Sequence, residues 1–222
     1  MRFKDRREAG RALVRLLAPY SGRNDVRVFA LPRGGVPVGF EVAQALAAPF
    51  DVFVVRKLGV PGHEEFAMGA IASGGVRVMN DDMIRGLAIP QDVIDRVTAK
   101  EAFELQRRER EYRGNRPPLA VEGTIVILVD DGLATGASMR AAVTALRQLH
   151  PSKLVVATPV GDSSTCNEMR QLADEVVCAY LPDAFQAVGL WYADFSETSD
   201  DEVRDLLSRA RGGAAKRRLE AP

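Results

Sequence analysis

TIVILVDDGLATGASMRAAV, residues 124–143, is the stretch that decides how the rest of the chain is read. Ile125–Val129 is an unbroken run of branched apolar side chains, as a strand buried on both faces of a parallel sheet requires. Asp130 and Asp131 follow where such a strand leaves the sheet, and open α/β sheets bind ligands in the crevice outside the carboxyl ends of their strands. Next come Gly132, Ala134, Thr135, Gly136, Ala137 and Ser138, whose small side chains leave backbone N–H groups uncovered ahead of a helix predicted over 139–149. Bare N–H groups at a helix start, with the hydroxyls of Thr135 and Ser138 beside them, make an anion site.

An acidic pair next to an anion cradle suits a sugar phosphate, whose hydroxyls donate to carboxylates while its phosphate occupies the cradle. The loop is not a Walker loop, since Gly-Lys-Ser/Thr is absent, and it is not GxGxxG. VILVDDGLATGASM resembles the signature of the type I phosphoribosyltransferases, their site for 5-phosphoribosyl-1-pyrophosphate (PRPP). The resemblance implies that Asp130 and Asp131 hold the ribose hydroxyls. It also implies that Gly132, Ala134, Thr135, Gly136, Ala137 and Ser138 bind the rest of PRPP, with Mg2+ bound through PRPP and no metal-ligating side-chain set.

The 222 residues are enough for one domain with a three-layer core, or one domain with an embellishment. A 46% hydrophobic, 27% charged chain of zero formal net charge gives no total-charge argument for nucleic acid or anionic lipid. Cys166 and Cys178 form no CxxC and have no histidine at ligand spacing, so a reduced, cytoplasmic chain is expected. The charged start MRFKDRREAGRALVRLL has no apolar h-region, and no segment approaches eighteen apolar residues, so neither secretion nor a membrane span is expected.

Residues 5–17 predict an amphipathic helix with its arginines outside. A strand over 26–31 runs into LPRGGVPVGF, where Gly34 and Gly35 permit close approach to a ligand and a helix follows over 36–46. By resemblance Arg33, Gly34 and Gly35 are the pyrophosphate loop, which in the family often contains a non-proline cis peptide; PRGG taken alone also reads as a plain turn. A third strand, 51–55, ends in RKLGVPGHEEF, placing Arg56 and Lys57 together at its carboxyl end. This segment is similar to one in adenine phosphoribosyltransferases that contacts pyrophosphate and begins a mobile loop, here 58–66, with His63, Glu64 and Glu65 in its solvated part.

Residues 67–72 and 76–79 read as a hairpin. Residues 80–118 then carry a long charged helix, an insertion relative to small family members, with Val93, Ile94, Val97, Ala102, Phe103 and Leu105 as its apolar stripe. Its Arg/Glu end is mixed in sign and predicts i,i+4 pairs; a homo-oligomer contact is the alternative use of this helix. Strands over 153–158 and 175–180 flank a helix over 163–172. The stretch 181–198 is rich in aromatic residues, and by resemblance it is the hood over the acceptor base, with Phe185, Val188, Trp191 and Tyr192 as base-binding residues. A short helix over 200–207 and a disordered tail over 212–222 complete the chain.

The expected architecture is α/β: a doubly wound, mostly parallel sheet of the type I phosphoribosyltransferase kind in one domain over 1–211. The resemblance implies Mg-dependent transfer of the phosphoribosyl group from PRPP to a nitrogenous base, with catalytic roles for Asp130, Asp131, Arg33, Arg56 and Lys57. Two other uses of the same cradle are a non-catalytic PRPP-sensing regulator, which a basic face would favour, and a sugar-phosphate or nucleotide hydrolase, which needs a base such as His63 or Glu64 to activate water.

Overall fold

The computed structural model describes residues 2–220, apart from the side chains of 64, 65 and 213–220. In chain order the elements are α1 (Arg6–Leu16), β1 (Val26–Ala30), α2 (Gly35–Leu46), β2 (Phe50–Val52), β3 (Val55–Val60), β4 (His63–Ala72), β5 (Val76–Met79), α3 (Asp81–Gly86), α4 (Gln91–Arg113), β6 (Ile125–Val129), α5 (Ala137–Arg147), β7 (Lys153–Val160), α6 (Ser163–Met169), β8 (Glu175–Tyr180) and α7 (Asp200–Glu220). Five strands form an all-parallel sheet in the order β2-β1-β6-β7-β8, and β3, β4 and β5 form a separate antiparallel sheet. The α/β, mostly parallel expectation is met. No helix among the described residues is long and apolar enough to cross a membrane.

Alternation along β6 explains its unbroken apolar sequence. Ile125, Ile127 and Val129 pack with Leu13 of α1, Val36 and Val38 of α2, and Val203 and Leu206 of α7. Val126 and Leu128 face the other way, onto Met139 and Val143 of α5 and Met169 of α6. A central strand between two helical layers has no solvated face, so each of its positions must be apolar. Cys166 and Cys178 are free of disulfide, and the Cys178 thiol donates to the Tyr180 carbonyl (3.2 Å).

The predicted strand over 51–55 is corrected. β2 stops at Val52, and the chain leaves the parallel sheet to begin β3, which pairs antiparallel with β4. The stretch expected to be a mobile loop, 58–66, is therefore largely the paired end of this hairpin, with the turn at Pro61 and Gly62. Gly62 has φ +80, a left-handed conformation that suits glycine in a tight turn.

α4 presents Ile94 and Leu105 to the core, but Phe103, assigned to the same stripe from sequence, is 73% exposed because it falls one residue off the helical repeat. The i,i+4 pairs are present, among them Arg107 with Glu111 and Arg108 with Glu104. Arg113, in the same charged run, is not solvated. Its side chain is 4% exposed and donates to Asp51 (2.9 Å), Glu109 (2.7 Å) and the Val52 carbonyl (2.5 Å), fastening α4 to β2. The expected short final helix is longer, and α7 runs as one helix through Glu220, where a disordered tail is predicted for 212–222; Ala, Lys, Arg, Leu and Glu in that stretch are strong helix formers. Residues 221 and 222 lie outside the described residues.

Burial pushes the Asp51 carboxyl above its usual range, and the Arg113 charge offsets that cost. Arg113→Ala is expected to lower the unfolding free energy by about 3–5 kcal/mol, because it strands a buried carboxylate. Urea titration checks this, and the double variant Asp51→Asn/Arg113→Met should recover most of the loss.

Candidate active site

β1 and β6 lie side by side, but the chain leaves them in opposite directions, β1 through α2 to β2 and β6 through α5 to β7. Their carboxyl ends are thus the topological switch point of the sheet, where a crevice opens. The ladder continues one step past β1, with Leu31 N–H donating to Val129 C=O (2.9 Å), so residues 31–35 are tied to the end of β6. The Pro32–Arg33 peptide bond is cis. A methyl group on Gly35 would meet Val129 O at 2.8 Å and Asp130 Cα at 2.9 Å, and one on Gly34 would fall on the Asp131 carboxylate. Here glycine is needed for space: Gly34 has ordinary helical torsions, φ −58 and ψ −35.

Asp130 accepts from the Asp131 N–H (2.9 Å). Burial first, and the neighbouring Asp131 charge second, push the Asp130 carboxyl well above the usual carboxylate range. Burial also raises Asp131, opposed by Arg6. The Arg6 Nε donates to Asp131 Oδ2 at 2.8 Å, with side-chain exposures of 11% and 15%, and its guanidinium lies 4.1 Å from the Phe195 ring centroid. Tyr192 donates its hydroxyl to the Asp131 carbonyl (2.5 Å), and burial raises its pKa.

Beyond the pair, Gly136 has φ +69 and abuts the Thr165 methyl, so it meets both demands that only glycine satisfies. It opens α5 with no side-chain cap, leaving the first N–H groups without an intrahelical partner. The loop is braced by Thr165, whose hydroxyl donates to Ala134 O (2.7 Å), and by Arg140, which donates to Thr135 O (2.6 Å). Ala137 and Lys57 line one cavity of about 360 Å³ with Asn80 and Arg140.

A matching family model, described as a phosphoribosyl transferase domain, covers residues 4–193. The chain belongs to the phosphoribosyltransferase family. It is 49% identical over 208 residues to the Mycobacterium tuberculosis (strain ATCC 25618 / H37Rv) protein named "Putative phosphoribosyl transferase Rv0571c", covering 94% of this chain and 47% of that protein. The chain thus spans about half the length of the curated relatives it matches. The crystal structure of TT1426 from Thermus thermophilus superposes with a TM-score of 0.85 at 43% identity, covering 94% of this chain and 99% of that one.

Within this phosphoribosyltransferase domain the predicted cationic pair is split. Arg56 and Lys57 lie within β3, not at a strand end, and neighbouring strand residues point to opposite faces. Arg56 meets Glu101 of α4 at 2.6 Å, and Lys57 faces the start of α5. Arg33 pairs with Glu197 and lies 3.7 Å from Asp200. Among the residues assigned to base binding, Val188 packs over Gly132, Trp191 stands edge-on to Tyr180 at 5.2 Å, and Phe185 packs on the small cluster around Phe3. Tyr192 is 1% exposed between Phe3 and Phe195, which leaves its ring no open face for stacking. His63 is exposed at the hairpin turn, and the side chains of Glu64 and Glu65 lie outside the described residues. A second cavity of about 450 Å³, lined by Phe29, Phe53, Arg113 and His150 among others, contains none of the predicted site residues.

Sequence reasoning missed Arg6 and the Tyr192 hydroxyl. Arg6 is one of several arginines in a charged helix, and no local spacing distinguishes it; only a contact across 125 residues does.

Two outcomes are expected. A raised folded-state pKa means that Asp130 favours folding below its unfolded value and that this contribution is lost as pH rises through the folded value. Asp130→Asn should therefore stabilise the chain at neutral pH by about 0.5–2 kcal/mol, a gain that shrinks as pH falls toward about 4. Melting curves against pH check it. Gly34→Ala should destabilise by about 1–3 kcal/mol through overpacking against Asp131, whereas Gly86→Ala, with nothing within 4 Å, should be nearly neutral.

Proposed function

We propose that the chain transfers the 5-phosphoribosyl group of PRPP to a nitrogenous base and releases pyrophosphate. The observation that carries this reading is the contact of the acid pair with the Gly34–Gly35 backbone at the switch point, beside the uncapped start of α5. That arrangement offers acceptors for ribose hydroxyls, room for a diphosphate against bare backbone, and N–H donors for the 5-phosphate in one crevice.

In the reaction the bond from the anomeric carbon to the pyrophosphate oxygen breaks, a ring nitrogen of the base bonds to that carbon, and the nitrogen's proton leaves. Positive charge builds on the ribose ring as the leaving group departs. An ionised Asp131 beside the ring stabilises that charge, and its burial strengthens the effect because little water screens it. Lys57, facing the start of α5, supplies cationic charge for phosphate oxygens. Arg33 and Arg56 reach pyrophosphate only by exchanging Glu197 and Glu101 for it, so in the free chain these two cations are held rather than idle.

Among the described residues no three His, Cys, Asp or Glu side chains come together to hold a metal ion. Magnesium would enter with PRPP, and its charge would neutralise part of the diphosphate. The reaction is placed in the cytoplasm, with PRPP and a small base as partners.

The acceptor is narrowed by Ala134. In the 6-oxopurine enzymes of the family an aspartate stands at this place and is proposed to exchange a proton with the purine, which a methyl group cannot do; the Ala-Thr-Gly form found here instead resembles adenine and orotate enzymes. Mass spectrometry of pyrophosphate release from Mg–PRPP with adenine, hypoxanthine and guanine tests both points. Release should require a base and be faster with adenine than with either oxopurine, and Asp130→Asn/Asp131→Asn should weaken PRPP binding at least about tenfold. Pyrophosphate or ribose phosphate appearing without any base would make the protein a hydrolase, and guanine outrunning adenine would overturn the acceptor assignment.

A further inference from the structure

The crevice contains one cation that neither the composition nor the motif explains. Arg6 is the first residue of α1, whose start Asp5 caps by accepting from Glu8 N–H (2.8 Å). Its guanidinium makes three contacts at once: Nε to Asp131 Oδ2 (2.8 Å), Nη1 to the Ser196 carbonyl (2.6 Å) and a face on the Phe195 ring. The approach is fixed from outside as well, because Phe3 N–H donates to Trp191 O (2.8 Å) and Ala193 N–H to Phe3 O (2.7 Å), pinning the N-terminal segment to the stretch after β8. A flexible surface pair would be solvated; this one is nearly closed to water on both sides.

We propose that Arg6 is a positioning residue of the ribose site, holding Asp131 by Oδ2 so that Oδ1 is left, ionised and fixed in direction, to accept a ribose hydroxyl. The inference rests on the reading of the acid pair as ribose ligands. Among the described residues, no other residue donates to Asp131 Oδ1. The groups facing Asp131 are Asp130 on the same loop, Arg6 from α1, and Tyr192, whose hydroxyl is spent on the Asp131 carbonyl. Arg33, from the loop after β1, is turned to Glu197 and Asp200. Arg6 is thus the charge that opposes both burial and the second carboxylate. Its removal raises the pH at which Asp131 loses its proton, and binding that needs the carboxylate then fails at a higher pH.

Isothermal titration of Mg–PRPP into wild type, R6Q, R6K and F195L, over a range of about pH 5 to 9, tests this. R6Q should bind at least about tenfold more weakly at neutral pH, with the acid limb of its affinity profile moved to higher pH. R6K should keep the limb near its wild-type place with intermediate affinity, since an ammonium retains the charge but not the planar fork and stack. F195L, at a position 38% exposed, leaves both carboxylates in place and should weaken binding in the same direction by a smaller factor, which keeps the test alive if R6Q does not fold. Unchanged affinity and an unmoved limb in R6Q or in F195L would overturn the role of Arg6. Absence of Mg–PRPP binding by wild type at every pH would instead remove the ribose-site reading on which it stands.

Discussion

Two adjacent carboxylates are held part-buried at the point where two parallel strands end side by side. Burying one ionised carboxylate is costly, and burying two in sequence adds their mutual repulsion. The surrounding structure answers that constraint. The Gly34–Gly35 backbone packs against the pair because a side chain there would displace it. Asp130 is turned back onto the Asp131 N–H, and Asp131 is met by the single guanidinium of Arg6. Tyr192 engages the Asp131 backbone carbonyl, and Val188 covers Gly132, so the segment after β8 closes over the loop instead of standing apart from it.

The antiparallel sheet packs between α4 and α5. Because β3 alternates, it delivers Lys57 toward the start of α5 while turning Arg56 to Glu101 on α4. α4 in turn is anchored at its far end through Arg113, whose fork is shared among Asp51, Glu109 and the Val52 carbonyl. The helix predicted as a solvated insertion is therefore part of the support for the hairpin, with only its outer face, including Phe103, left to solvent. Under the proposed reading, an entering pyrophosphate competes with Glu197 and Glu101 for Arg33 and Arg56. Charged groups prearranged in this way hold their geometry before the substrate arrives and release it only to a stronger anion.

Much of this was legible in the chain, because the relevant signals are local. The run Ile125–Val129 has no polar break because both faces of its strand are covered, and Asp130 follows at the strand's end because that end opens on the crevice. Gly136 stands among the small residues that leave N–H groups bare ahead of a helix, and the structure puts it, at φ +69, at the uncapped start of α5. Where local reading failed, a tertiary partner overrode it. Arg56 and Lys57 are adjacent in sequence but sit on opposite faces of β3, and whether 55–60 is a strand or a loop depends on β4 being there to pair with it. The arginines of 107–116 look alike in sequence, yet Arg113 is buried and Arg107 is half exposed, a difference set by where α4 ends against β2.

The sequence by itself determined the α/β architecture, the central strand, the acid pair and the small-residue loop that opens a helix, since each follows from residue type and spacing over a few positions. Only the tertiary structure decided which charges face which. Arg6 meets Asp131 across 125 residues, Tyr192 reaches the same loop across 61, and Arg113 finds Asp51 across 62. Electrostatic partnership depends on distance and burial in three dimensions, and neither is encoded in the spacing of residues along the chain.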